Sequence, residues 1–144
     1  MFFHVSLVPI ASGEQKTKPT QHSVKELRGL GLSPDVVVCR SKAMLCAATK
    51  EKMSAFCHVS SGNCISVHDV SNIYHVPLML TDQDVHTIIK TRLKLDHMDD
   101  VPNLNLWRAM AETQDSLQQR DNKLEIAIVG KYSGQQVCVP CMNC

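Results

Sequence analysis

Lys16 and Lys18 stand two residues apart in the segment Gly13-Glu-Gln-Lys-Thr-Lys-Pro-Thr-Gln21. Pro19 biases the residue before it toward an extended conformation. Two extended lysines at that spacing project from the same face of the chain. The segment leads toward a predicted helix start, where free N–H groups favour anions. Two ammonium groups beside a helix amino terminus suit a polyphosphate. Solvated surface lysines show the same spacing, so the pattern alone leaves both readings open.

Other groups carry weaker signals. Lys52 borders the apolar face of a predicted helix; it can reach a ligand or lay its stem over the core. Arg40 ends a predicted strand and could equally pair with an acid. His68-Asp69 reads as a catalytic pair or as a helix cap, and adjacency does not make a triad. Gly130-Lys131-Tyr132 fails as the end of a phosphate loop. Tyr132 stands where Ser or Thr would bind magnesium, and Glu125 where the first glycine belongs. Cys138, Cys141 and Cys144 are spaced like metal ligands, yet three thiols leave a tetrahedral zinc one ligand short. No catalytic residue and no metal site is assigned.

The elements that would position these groups alternate between strand and helix. His4–Ile10 reads as a strand and Ala11–His22 as a polar loop. Ser23-Val-Lys-Glu26 has the form of a capping box, opening a helix to about Arg28, with Gly29 and Gly31 as the stop. Asp35–Cys39 is a continuous β-branched run, the pattern of a strand buried on both faces. Thr49–Cys57 reads as a helix with Met53, Phe56 and Cys57 on one side. Cys64–Val67 reads as a third strand. Thr81-Asp-Gln-Asp84 repeats the capping-box form and opens a helix to Leu93, with Val85, Ile88 and Ile89 at helical spacing. Asp96–Asn103 reads as a linker. Leu106, Trp107, Met110 and Leu117 suggest one more helix, and Glu125–Val129 a last strand. The alternation predicts an α/β fold around a parallel sheet with flanking helices. In such sheets ligands gather at the carboxyl ends of the strands.

Composition bounds the rest. The 144 residues are 44% hydrophobic and 20% charged, which fits one globular domain. A formal net charge of +1 gives no reason to expect a nucleic-acid partner. No apolar run reaches the ~18 residues of a membrane span. Met1–Ala11 is apolar, but no Lys or Arg precedes it as in a secretory leader. The seven cysteines form no small-scaffold pattern, so a reduced, cytoplasmic setting is expected.

The run Gly13-Glu-Gln-Lys-Thr-Lys-Pro-Thr-Gln-His-Ser-Val24 resembles the CTP synthase family, close to its animal members. The similarity continues through Lys25–Asp35, Val38-Cys-Arg40, Lys50-Glu-Lys52, Phe56-Cys-His-Val59, Val67-His-Asp-Val-Ser71, Ile73-Tyr74 and Val76-Pro-Leu78. Ser41–Thr49 departs from it, and Asp96–Lys123 matches loosely. The family converts UTP to CTP: ATP phosphorylates the uracil oxygen, and ammonia released from glutamine displaces the phosphate.

The resemblance implies an incomplete P-loop-NTPase-like sheet. It also implies UTP and CTP contacts at Lys16, Thr17, Lys18, Pro19, Thr20, Gln21 and Lys52. His68, Asp69 and Val70 match the segment that frames the ATP adenine, largely through backbone groups. Implied domains are the carboxyl-terminal part of the synthetase domain over 1–95 and an interdomain linker over 96–123. The first glutaminase strand follows over 124–132, and a divergent cysteine-containing tail over 133–144. ATP and Mg2+ serve the intact enzyme, but its phosphate loop, magnesium acids and glutaminase triad have no counterpart here. The expected object is thus a fragment, inactive alone, that could join a homotetramer or dock on full-length subunits. A missing half-sheet would deprive Val36, Val37, Val38, Ile65 and Val67 of strand neighbours.

Overall fold

The computed structural model describes residues 1–95, 102–119, 126–127 and 129–130. Three strands make a parallel sheet: β1 (Phe3–Leu7), β4 (Val36–Ser41) and β5 (Cys64–His68), in the order β1-β4-β5. Between β1 and β4 lie a hairpin, β2 (Ile10–Ala11) with β3 (Glu14–Gln15), and helix α1 (Lys18–Gly29). Helix α2 (Ala47–Cys57) and a 3-10 turn (Ser61–Asn63) connect β4 to β5. After β5 come α3 (His75–Thr81), α4 (Val85–Leu93) and α5 (Asn105–Gln118). The α/β class and the three strands agree with the sequence pattern.

The β-branched run of β4 takes the centre of the sheet, pairing Val38 with Val5 on one side and Ile65 on the other. One face packs Val37, Cys39 and Cys64 against Val24 of α1 and Met53 and Cys57 of α2. The other packs Val36, Val38, Ile65 and Val67 against Leu80 of α3 and Val85, Ile88 and Ile89 of α4. Of the residues expected to lose strand neighbours, Val37 and Val38 have one on each side and Val36 pairs with Phe3, whereas Ile65 and Val67 lie on edge strand β5. The uncovered apolar side chains belong to β1, where Phe3, Val5 and Leu7 are 37%, 68% and 60% exposed. They occupy alternate positions, hence one face of an edge strand.

Several boundaries differ from expectation. Ala11–His22 is not a loop. Ser12 and Gly13 both have positive φ (53° and 76°), turning the chain tightly into the β2–β3 hairpin. Helix α1 then begins at Lys18, not at Ser23. Pro19 lies in the first turn, where its missing N–H would have had no helical partner anyway. Ser23 caps nothing; its Oγ meets His4 Nε2 at 2.9 Å, tying α1 to β1. Glu26 instead faces His22 one turn back, at 3.9 Å.

The second expected capping box also dissolves. Thr81 ends α3, a helix the sequence pattern did not reveal, and Asp84 adopts a left-handed φ of 55° before α4. Phe56 does not join Met53 and Cys57 in the core but is 58% exposed. On α5, Leu106, Met110 and Leu117 are exposed and Ala111 is the buried residue. Of the expected strand Glu125–Val129, the described residues Ile126, Ala127 and Val129 carry no strand, and Ile126 and Val129 are 76% and 96% exposed. Lys131, Tyr132, Cys138, Cys141 and Cys144 lie outside the described residues.

Candidate functional site

The carboxyl ends of β1, β4 and β5 point to one end of the molecule, where the candidate residues collect. Leaving β1, the chain makes the hairpin, whose Gln15 side chain reaches across to the segment before α2. Gln15 Nε2 donates to the Met44 carbonyl at 2.8 Å, and Gln15 Oε1 accepts from the Cys46 amide at 3.2 Å. This pair of bonds fixes the hairpin against the start of α2 and so relates Lys16 to Lys52.

Lys16 Nζ lies 2.7 Å from Glu14 Oε2, with both side chains partly in water. The Glu14 carboxyl is held below the usual glutamate range, first by the hydrogen bond and charge of Lys16, and further by the charge of Lys52. Two cations separated by 36 positions in sequence thus act on one exposed carboxylate. The sequence pattern named both lysines but missed Glu14, the carboxylate that Lys16 holds and Lys52 influences.

Lys18 is placed differently. It begins α1, so it does not project beside Lys16 from an extended segment. Instead it lines an open groove of about 950 Å³ with Gln21, His22, Lys25, Arg28 and Phe56. Lys18, His22, Lys25 and Arg28 follow one another at intervals of four, three and three, which is one helical face. That signal was present in the sequence. It was hidden by placing the helix start five residues late.

Thr17 and Thr20 are buried at 4% and 0% exposure. Thr17 Oγ1 accepts from Gln21 Nε2 at 2.9 Å. Thr20 Oγ1 accepts from Ser6 Oγ at 2.9 Å and donates to the Leu7 carbonyl at 3.3 Å. The Thr20 hydroxyl seats the first turn of α1 on the end of β1, and that of Thr17 ties the turn to Gln21. No side chain caps that helix start.

At the far side of the same end, Asp69 pairs with Arg40, bridging the ends of β4 and β5. His68 and Val70 line a separate cavity of about 570 Å³ with Ser71, His75, Arg108 and Asp115. His68 Nδ1 is buried there without a hydrogen-bond partner. The three residues of the expected adenine segment are therefore split between an ion pair and a cavity wall. Among the described residues no group of three or more His, Cys, Asp or Glu could hold a metal ion. No metal-dependent step is assigned to them. No helix among the described residues is long and apolar enough to cross a membrane.

A family model described as CTP synthase N-terminus matches residues 1–95. The chain belongs to the CTP synthase family. It is 52% identical over 138 residues to CTP synthase 2 of Mus musculus, covering 94% of this chain and 23% of that protein. It is 45% identical over 144 residues to CTP synthase of Dictyostelium discoideum, covering 91% of this chain and 25% of that protein. CTP synthase 1 of Danio rerio is 52% identical over 134 residues, covering 90% and 22%. The chain thus spans about a quarter of the length of these relatives. The relatives' names place the family in pyrimidine nucleotide synthesis. The parallel sheet with flanking helices is consistent with the P-loop-like amino-terminal domain of CTP synthases.

Proposed function

We propose that this chain is a nucleotide-binding segment of a CTP synthase, a cytoplasmic ligase that aminates UTP to CTP at the expense of ATP, with ammonia from glutamine. In this reading residues 1–95 are the late synthetase domain, 96–123 the linker, and 124–132 the opening of the glutaminase domain. Lys16 and Lys52 meet the phosphates of UTP and CTP, and the family likeness adds Lys18, from the groove it lines, with Thr17, Pro19, Thr20 and Gln21. His68, Asp69 and Val70 frame the adenine of ATP.

The observation that carries the reading is the Lys16–Glu14 pair at 2.7 Å, whose carboxylate also feels the charge of Lys52. Phosphate oxygens would replace the Glu14 carboxylate on Lys16, within the field of Lys52, and gain charge-assisted hydrogen bonds. The uncapped start of α1 adds N–H groups of the sign an anion needs. Thr20 contributes by fixing that start against β1, and Thr17 by holding Gln21. Phosphoryl transfer needs metal and positioned charge around the moving phosphate. In this reading the chain binds nucleotide and is not assigned the turnover of the intact enzyme.

The test is an equilibrium titration of the full chain with UTP. Lys52→Ala and Lys16→Ala should each weaken UTP by about tenfold or more, the scale of one charge-assisted hydrogen bond. No UTP binding by the parent chain would end this reading.

A second reading is a docking stub that joins intact subunits. It is favoured by the exposed Phe3, Val5 and Leu7 on edge strand β1, a face that another chain can cover. Co-purification with a full-length homologue, lost in Val5→Lys, would distinguish it.

A further inference from the structure

Helix α5 lies against α3 and is tied by hydrogen bonds to the loop that precedes α3. The loop Asp69–Tyr74 follows β5 and has no helix or strand of its own. Its Asn72 is 2% exposed and donates through Nδ2 to the Ala111 carbonyl at 3.0 Å and to Asp115 Oδ1 at 2.6 Å. Asn72 Oδ1 accepts from the Tyr74 amide at 3.0 Å. His75 Nε2, at the loop's exit, meets Asp115 Oδ2 at 2.7 Å. Trp107 Nε1 donates to the Tyr74 carbonyl at 2.5 Å, and its ring stands edge-on to Tyr74 at 5.9 Å.

Few apolar contacts reinforce these ties. Ala111 is the buried residue of α5, while Leu106 is 88% exposed and Met110 and Leu117 are each 44% exposed. A helix held this way depends on its hydrogen bonds. A buried amide such as Asn72 is costly to leave unpaired. Asp115 is the carboxylate on which Asn72, Ser71 and His75 converge. The same α5 supplies Arg108 and Asp115 to the wall of the cavity that His68 and Val70 line.

We propose that α5 is a clasp that shapes this cavity for an adenine nucleotide, with Asp115 as the positioning residue acting through Asn72 and His75. The nucleotide part rests on the functional reading above; the clasp rests on the geometry alone. Removing Asp115 takes away one of the two acceptors of the Asn72 amide and releases the His75 ring. The loop then loses the conformation that sets His68 and Val70 against Arg108.

The experiment combines amide hydrogen exchange with ADP titration on the full chain, using the fluorescence of Trp107, the single tryptophan. Asp115→Ala is expected to accelerate exchange across 69–76 while Val36–Ser41 keeps its protection. It should weaken ADP by about tenfold, the scale of one charged hydrogen bond. Asp115→Asn should restore both, because its oxygen can face Asn72 and its amide can donate to the other tautomer of His75. Unchanged loop exchange, or acceleration spread evenly over the sheet, would overturn the clasp. A loosened loop with unaltered ADP affinity would overturn the positioning role. Absence of ADP binding by the parent chain, with the loop pattern as expected, would overturn the nucleotide assignment and support the clasp.

Discussion

The side-chain amide of Gln83 bonds both backbone groups of Ser66. Gln83 Nε2 donates to the Ser66 carbonyl at 2.8 Å, and Gln83 Oε1 accepts from the Ser66 amide at 2.9 Å. Ser66 is central in β5, fully buried, and paired with Cys39 on its inner side. On its outer side Gln83 supplies the donor and acceptor that a further strand would. Lys50 Nζ also donates to Gln83 Oε1, at 3.3 Å.

Gln83→Ala would leave the Ser66 amide and carbonyl buried without partners. An unsatisfied buried group costs about 1–3 kcal/mol, so a loss of about 2 kcal/mol or more is expected in urea unfolding. Gln83→Glu should do nearly as much damage, since a carboxylate cannot donate to the carbonyl. An unchanged midpoint would show that the edge of β5 tolerates exposure.

Glu14 should compete with an anionic ligand. Glu14→Gln is expected to tighten UTP binding, because the charge that occupies Lys16 and lies in the field of Lys52 is gone. Titrations of Glu14→Gln and the parent chain at two salt concentrations check this, and weaker binding by the variant would contradict it.

Thiol reactivity should separate the cysteines sharply. Cys46 is exposed at the start of α2 and its thiol is eased below the ordinary value, chiefly by the Thr49 hydroxyl, 3.0 Å away, and the Thr49 amide. Burial pushes Cys39 up to about 12 and Cys64 to about 11, and raises Cys57 as well. Peptide mapping after brief alkylation near neutral pH should find Cys46 modified well before Cys39, Cys57 and Cys64. Thiolate and access, not thiol count, set that order.

Acid should loosen the tie between β1 and β4. The Asp35 carboxyl is held below the ordinary aspartate range by the Phe2 amide at 2.5 Å, and further by Arg92 and the chain's amino terminus. A depressed folded value means the stabilisation is present above the unfolded value, about 3.9. It is lost as pH falls through the folded value. Melting temperature should therefore drop below about pH 4. Asp35→Asn should flatten that limb while lowering stability at neutral pH. An identical acid limb in the variant would assign the effect elsewhere.

The β1 face should drive self-association. Val5→Lys places a charge on the uncovered stripe, a device that blunts edge strands. It should reduce higher-mass species in sedimentation velocity without lowering the melting temperature. Equal association by both chains would locate the contact away from β1.

Local signals in the chain determined the three strands of the parallel sheet and helices α2, α4 and α5, but not the β2–β3 hairpin or α3. The β-branched run of Val36–Val38 belongs to a central strand because only burial on both faces suits such a run. Val85, Ile88 and Ile89 at helical spacing already implied the face α4 buries. The lysines of Gly13–Val24 were legible from residue type, spacing and family likeness. Tertiary structure decided the rest, because the deciding contacts join residues far apart in sequence. Two Ser/Thr–Glu/Asp spacings read as caps. Packing instead began α1 at Lys18, where Pro19 fits the first turn and Thr20 locks onto β1. That shift carried Lys18 from the side of Lys16 into the groove with His22, Lys25 and Arg28. Lys52 meets the field of Glu14 only because Gln15 pins the hairpin to the start of α2. Asp115 reaches Asn72 only when α5 folds back on the loop after β5. Periodicity reports which face a segment buries. It carries no information about which distant segment that face, or a polar side chain beside it, will meet.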